Sequence, residues 1–508
     1  MKNTKKFAAM IAALTLSACS IAPMAMTASA TDATYSISMN ADGTEHTYEV
    51  YQLFTGTLTE VDGQNVLSEI EYGSSWDGIQ DKTAKEAAAE LEGMTSAEAL
   101  AWAKSITLGT PIGQLNEENS YSLENMAAGY YLIKDKDGSL TGKDEAYTSY
   151  ILRVVENVTA TPKSTKPTVD KQVLDETTDA EAGATEGWGE SADHAINETF
   201  QFKLIATLTP DENYADYETY QVQFNDTMGT GVTFDSIESV TISGYTGDVT
   251  YTCDAKAGQE GDGETPWSIS IADLKAYVDD LSDGATVTVI YNAHLNESAA
   301  IAGTSDDVNE NNVELEYSNN PNVSGSGENE HGKTPKDYVW VFTYKVDNTK
   351  VDGNQDPLPG VEFQLLDSDN NVIDLIYDAD LEAYRPVKDG ETAETMTSAE
   401  ATGKFNIVGL DAGNYKLHEV APLPGYNAID DVEIEISATH EENADGAGAT
   451  LDLTKSKNIS NEIVNEKGST LPSTGGIGTT IFYLGGGAMV AVAGVFLITK
   501  KRMGKSEN

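Results

Sequence analysis

Three polar residues sit on strand faces that are otherwise apolar in the last third of this 508-residue chain. In "AGNYKLHEVAPLPGY" (412–426), strand alternation puts Tyr415, Leu417 and Glu419 on one face. Glu419 should therefore point inward, where a carboxylate is costly unless paired or neutral. Lys350, in "NTKVDGNQDPLPGVEFQL", follows Val346 and Asn348 at the same parity, and Asn465 in "NEIVNEKG" shares a face with Ile463. Lys345 is the alternative amine, at a poorer spacing from "PLPG". An amine, an acid and a carboxamide in a dry interior have a chemistry open to them. Desolvation favours the neutral amine and the protonated acid. The amine can attack the Asn carboxamide while the acid polarises the carbonyl and shuttles protons. Ammonia leaves, and the product is an internal isopeptide cross-link that removes two costly buried polar groups.

The pattern recurs upstream with different letters. Val169, Lys171 and Val173 share a face in "PTVDKQV", as do Val222, Phe224 and Asp226 in "YQVQFNDTMGTGVTF". Val313, Leu315, Tyr317 and Asn319 do so in "NNVELEYSNNP". Each polar residue alone reads as a strand end or turn signal; together they predict a Lys171–Asn319 bond assisted by Asp226, with Asn320 as the alternative acceptor. Further upstream, "AAGYYLIKD" places Asp135 where the acid would fall. Past the leader described below, no lysine precedes Lys82. No equivalent cross-link is expected there, and Asp135 reads as an ordinary turn residue.

Strands must position these groups. "TYEVYQLF", "FQFKLIATL", "ATVTVIYNA", "VWVFTYKV" and "DVEIEI" alternate at period two between Gly, Asn and Asp turns, the pattern of an all-β sandwich. Helix is expected over Lys82–Ile106, as an insertion in the first domain, and over Ile271–Leu281. Stretches rich in Pro, Gly, Ser and Thr at Asn157–Asp170 and Asn319–Asp337 divide the chain. The expected domains are 31–161, 162–334 and 335–468, about three by length. A net charge of −52, with 31 basic against 83 acidic residues, excludes a nucleic-acid binder and keeps an exported protein soluble. Packed sheets, not disorder, account for the 24 tyrosines.

Both ends carry processing signals. Lysines in Met1–Lys6, an apolar Phe7–Ala18 and an A-x-A site at Ala28–Ala30 form a secretory leader over 1–30. "LSAC" ending at Cys19 resembles a lipobox, which would lipidate that cysteine instead. Once the leader is gone only Cys253 is left, so no intramolecular disulfide can form. At the other end Leu471, Pro472, Ser473, Thr474 and Gly475 precede an apolar run, Ile477–Thr499, long enough to span a bilayer. Lys500, Lys501, Arg502 and Lys505 then hold the tail in the cytoplasm. Pro472 keeps the tag extended. Other signals are weak. "DSDNN" (367–371) lacks the Gly that a calcium loop needs, Val372 standing in its place, and reads as a hairpin turn. Cys253 has no neighbouring His or basic setting. Among only six histidines no Ser-His-Asp or metal-ligand spacing stands out, so no metal, cofactor or enzyme activity is expected.

The tag, apolar run and basic tail (469–508) resemble the cell-wall sorting signal of Gram-positive surface proteins. That resemblance implies that a sortase cysteine cleaves Thr474–Gly475 and passes the Thr474 carboxyl to an amine. "KVDGNQDPLPGVEF", "YKLHEVAPLPGY" and "IVNEKGSTLPSTGG" resemble Cna B-type domains, whose Lys, Glu and Asn map onto Lys350, Glu419 and Asn465. Val420 departs from the Thr usual after the acid, which alters a neighbour and not the acid. The stretch from 162 to 334 resembles the middle domain of backbone pilins, where Asp replaces Glu. "ATPKSTKPTVDK" resembles the pilin motif, with Thr161 in the Tyr position, Lys163 as the polymerisation lysine and Lys166 as its rival. The resemblance implies tandem immunoglobulin-like (Cna B-type) sandwiches in a secreted backbone pilin at the cell surface. Its partners would be a pilus-specific sortase, identical subunits, ancillary tip and base pilins, and peptidoglycan through a housekeeping sortase. The apolar run would hold the chain in the membrane until cleavage. A monomeric wall-anchored adhesin and an ancillary or basal pilin remain open.

Overall fold

The computed structural model describes residues 34–468, apart from 41–45, 62–63, 144–146, 161–165, 176–185, 212, 304–306, 322–330, 444–445 and 447, together with 484–495. The leader, Lys163 and the LPSTG tag lie outside the described residues. Residues 484–495 are helical. Among the described residues no helix is long and apolar enough to cross a membrane.

The N-terminal unit is built on a five-stranded sheet. Tyr48–Val61 lies between Gln64–Tyr72 and Gly129–Asp135, Ser149–Val154 forms the far edge, and Gly113–Leu115 also pairs with Tyr48–Val61. A three-stranded sheet sets Tyr35–Met39 between Ser122–Met126 and Val158–Ala160. The expected single helix is two, Ala84–Glu92 and Ser96–Ser105. Gly93 ends the first, and Thr95 opens the second with its own capping box to Glu98. Ala87, Ala88 and Leu91 press the first helix onto Phe54 and Trp76.

Asp135 is no turn residue. It closes the Gly129–Asp135 strand fully buried, takes a 2.7 Å hydrogen bond from His46 Nδ1, and accepts from the Thr148 backbone N–H and hydroxyl at 2.8 and 3.0 Å. Burial pushes its carboxyl up, and these donors work against that push. The sequence supplies no lysine here, and a histidine fills the place.

In the middle unit two sheets face each other across one apolar core. One holds Thr168–Leu174 beside Thr199–Leu208 and Ala285–Leu295; the other holds Val222–Met228 between Asn309–Ser318 and Trp267–Ile271. Thr199–Leu208 alternates buried and outward residues along its length, the period of a sheet wet on one face. The helix expected over Ile271–Leu281 is a single 3-10 turn, Leu274–Ala276, since apolar residues there follow turns and not a helical face. Asp337–Phe342, expected at the start of the third domain, hydrogen-bonds with Asn309–Ser318 in the middle sheet.

The C-terminal unit begins at Tyr344. Its first strand, Tyr344–Asp352, and its last, Ser460–Asn465, pair side by side in parallel. Facing them is a sheet of Glu362–Leu366, Gly413–Ala421 and Val432–Ile436, edged by Met396–Thr397. Asp367 closes the 367–371 hairpin by accepting from the Asp369 and Asn371 N–H groups.

Asp135→Ala strands three buried donors and should cost the N-terminal unit roughly 3 kcal/mol. Urea unfolding followed by Trp76 and Trp102 fluorescence measures it; an unchanged midpoint would show the His46–Asp135–Thr148 network to be inconsequential.

Candidate functional site

In the C-terminal unit the strand Tyr344–Asp352 buries Val346, Asn348 and Lys350 and turns Lys345 outward, where it pairs with Asp347 at 3.3 Å. Lys350, not Lys345, is therefore the interior amine. Its place is held tightly by Gly403, whose φ of +69° lets two backbones close together. The Lys350 N–H donates to the Gly403 carbonyl at 2.8 Å. Parallel register sets Lys350 beside Ile463 and Asp352 beside Asn465. From the facing sheet Tyr415, Leu417 and Glu419 point into the core. Asn465 Nδ2 donates to Glu419 Oε1 at 3.0 Å, and Lys350 Nζ donates to the carbonyls of Ile463 (3.0 Å) and Val351 (3.3 Å). Burial pulls the Lys350 amine down to about 8, the Glu419 charge opposing it. Among the described residues two buried atoms here have no hydrogen-bond partner, Asn465 Oδ1 and Glu419 Oε2. An acceptor and an acid oxygen left unsatisfied beside a weakly basic amine form a reactive set, because each is costly as it stands.

The middle unit repeats the arrangement. Lys171 crosses from one sheet into the core, where its Nζ lies against the rings of Phe202 and Tyr291 at 5.0 and 5.3 Å from their centres. Its Nζ donates to Asp226 Oδ2 and lies 3.1 Å from the Tyr291 hydroxyl. That hydroxyl donates to Asp226 Oδ2 at 3.1 Å and accepts from Asn311 Nδ2 at 2.7 Å. All four side chains are fully buried. Burial drives the Lys171 amine down and the Asp226 carboxyl up; their mutual attraction opposes both. Among the described residues Asp226 Oδ1 and Asn311 Oδ1 have no hydrogen-bond partner.

The carboxamide at this site is therefore that of Asn311, and Asn319 lies elsewhere. Asn319 Nδ2 donates to the Leu140 carbonyl of the N-terminal unit at 2.9 Å, and the Asn319 carbonyl accepts from the Tyr147 N–H. Asn320 is buried beside it. Parity is the same for Asn311 and Asn319, but eight residues at about 3.3 Å each separate them along the strand. Register decides between them: Asp226 faces Val313, which brings Asn311 alongside and leaves Asn319 at the far end. Sequence alone carried no register, so nothing in "NENNV" marked Asn311 as the carboxamide nearest this set.

Of the remaining candidates, Lys166 is half-buried just ahead of Thr168–Leu174. Burial pushes the half-buried Cys253 thiol up, away from nucleophilic use.

Residues 198–321 match the family described as Gram-positive pilin backbone subunit 2, Cna-B-like domain. Residues 344–450 match a prealbumin-like fold domain and 463–503 the LPXTG cell wall anchor motif. The chain thus carries a pilin-backbone Cna-B-like domain, a prealbumin-like domain and an LPXTG anchor, in that order. The trypsin-resistant surface T6 protein of Streptococcus pyogenes serotype M6 is 24% identical over 283 residues, 45% of this chain and 51% of that protein. The chain therefore spans about half the length of the curated relative it matches. Among solved structures it is similar to the T6 backbone pilin of serotype M6 Streptococcus pyogenes, with 17% identity, 86% of this chain and 98% of that chain covered, and a TM-score of 0.48. It is similar also to the full-length major pilin SpaD of Corynebacterium diphtheriae, with 17% identity, 86% and 97% coverage, and a TM-score of 0.45.

Asn465→Ala removes the neighbouring carboxamide and leaves the Lys350 amine buried. With that amine held at about 8 in the fold against an ordinary 10.5, the unfolded chain binds more protons between those values, so stability must rise with pH there. The unfolding free energy of this variant, read from urea titrations, should climb across that window by roughly 3 kcal/mol; a fall would show that the fold prefers the ammonium.

Proposed function

We propose that the chain is the backbone subunit of a covalent surface pilus, stapled internally by two Lys–Asn amide bonds. The observation that carries this reading is the pair of buried amine–acid–carboxamide sets, each with an unsatisfied carboxamide oxygen, in a chain that bears a pilin-backbone domain and a sorting signal. In each set the neutral Lys amine attacks Cγ of the Asn, the acid hydrogen-bonds the developing oxyanion and hands a proton to the departing nitrogen, its carboxylate takes back the proton that the attacking nitrogen sheds, and ammonia leaves. The N–Cγ bond to Lys replaces the Asn C–N bond, so each event runs once and consumes its own residues. Glu419 serves Lys350 and Asn465. Asp226 serves Lys171 and Asn311, with the Tyr291 hydroxyl, held as a phenol by burial, positioning both. Asn311 thus replaces Asn319 as acceptor.

Assembly would use the ends of the chain. A leader at 1–30 exports it, and the apolar run holds it at the membrane until a pilus-specific sortase cleaves Thr474–Gly475. Lys163 of another subunit, in the segment joining the expected first and second domains, takes the Thr474 carboxyl. Repetition gives a homopolymer, to which tip and base pilins attach and which a housekeeping sortase joins to peptidoglycan. The parallel pairing of Tyr344–Asp352 with Ser460–Asn465 supports a mechanical role, because the Lys350–Asn465 amide joins the strands through which the chain enters and leaves the last unit.

Intact mass of the secreted chain should fall two ammonias short of its sequence. Glu419→Ala and Asn311→Ala should each restore one, while Asn319→Ala restores none. Losing either bond should cost roughly 4 kcal/mol, as for a cross-link closing a loop of about 100 residues. If Asn319→Ala restored one instead, the acceptor would be Asn319.

Polymerisation is read separately. Lys163→Ala should abolish high-mass ladders on denaturing gels of the cell wall, and Lys166→Ala should leave them. Ladders surviving the first change would remove Lys163; no ladders even in the parent chain would leave a wall-anchored monomer.

A further inference from the structure

A second buried polar cluster, unused by the cross-link chemistry, lies where the middle and C-terminal units meet. Asp175 follows the Thr168–Leu174 strand. Ser191–Asp193 forms a short strand parallel to Trp340–Phe342. His440 comes from the Thr439–Glu442 hairpin of the C-terminal unit and packs its ring on Phe342. Asp175, Ser191, Asp193 and His440 are each 5% exposed or less.

His440 Nε2 lies 3.4 Å from Asp175 Oδ2 and 3.5 Å from Asp193 Oδ2. Both are ion-pair distances, and among the described residues neither His440 Nε2 nor Asp193 Oδ1 has a hydrogen-bond partner. A buried imidazole nitrogen aimed between two carboxylates, with a hydrogen bond to neither, must itself carry a proton or face a cation held between them. The spacing says what fits. Zinc–ligand bonds of about 2.0–2.2 Å give a tetrahedron with edges of roughly 3.4 Å. The other ring nitrogen, Nδ1, lies 2.9 Å from Ser191 Oγ, so the hydroxyl can accept its proton and leave Nε2 as the lone-pair donor. The Tyr344 hydroxyl donates to Asp193 Oδ2 at 2.6 Å, fixing that carboxylate. Around the cluster the carboxyl groups of Asp175, Asp193, Glu198 and Asp411 outnumber the imidazoles of His194 and His440, an excess of acid that a divalent cation offsets.

We propose that Asp175, Asp193 and His440 form a divalent-metal site, zinc by its mixed nitrogen and oxygen donors, that pins the C-terminal unit to the middle unit. Water completes the coordination. Ligands 265 positions apart in sequence (440 − 175) cannot form the site before the two units dock, so metal uptake is coupled to docking. The chain past its leader has one cysteine and no disulfide, and this site joins its domains by other means.

The test uses the full secreted chain, stripped with a chelator and dialysed against Zn²⁺ alone. One equivalent should bind, and Cys253→Ser should keep it. His440→Asn and Asp193→Asn should each lose it, and Ser191→Ala should weaken it about 10–100-fold. Co²⁺ in the parent chain should show the visible bands of a tetrahedral site, a readout that needs no variant to fold. No bound equivalent, an equivalent retained in folded His440→Asn, or octahedral Co²⁺ bands would each overturn the proposal. Should no metal bind while His440→Asn loosens the junction, His440 is a buried imidazolium between carboxylates and the metal site is refuted.

Discussion

A primary amine sealed from water must give up its charge or be matched by one, and two lysines of this chain are under that constraint. Lys171 has no exposed surface, and nor has Lys350. Around each, the fold supplies one acid and one carboxamide and almost no other polar group. Lys350 meets two backbone carbonyls, and Lys171 meets Asp226 and a phenol. The apolar packing that makes these sandwiches stable is also what makes the free amine costly. Stability and reactivity thus share one origin. An amide in place of amine and carboxamide, as proposed, would resolve the conflict.

The same economy explains the sheet topology. Antiparallel neighbours could have been joined by a hairpin, but the first and last strands of the C-terminal unit run in parallel and are separated by the whole domain. Only long-range closure brings Lys350 and Asn465 together. In the middle unit the amine and acid come from opposing sheets, so the reactive set forms only when the sandwich is shut. At the other end of that unit Asn319 holds the loop of Leu140 and Tyr147 from the N-terminal unit. One strand, Asn309–Ser318, therefore carries Asn311 at the core site and leads straight into the domain junction.

Strand parity made most of the site legible. Lys350, Glu419, Asn465, Lys171 and Asp226 all face inward, as alternation required. What parity could not carry was position along a strand, which is why the sequence pattern points to Asn319, with Asn320 as alternative, while pairing register brings Asn311 to the buried amine and acid. Asp135 was misread because its partner, His46, lies 89 residues away and belongs to no local pattern. The helix expected at Ile271–Leu281 shows the limit of short apolar spacing, which turns can mimic. Asp175, Asp193 and His440 were invisible for a simpler reason. Each sits in an unremarkable stretch, and only the docking of two units makes them neighbours.

The parallel end strands have one more implication. Entry at Tyr344 and exit after Asn465 lie at opposite poles, so tension along the chain shears the pair rather than peeling it open. Were Lys350 joined to Asn465 as proposed, the intervening polypeptide, roughly 400 Å of contour length if drawn straight, would be taken out of series. What remained between the poles would be strand that is already extended. Such a unit would have no slack to give, and a filament made of them would behave as an inextensible cord.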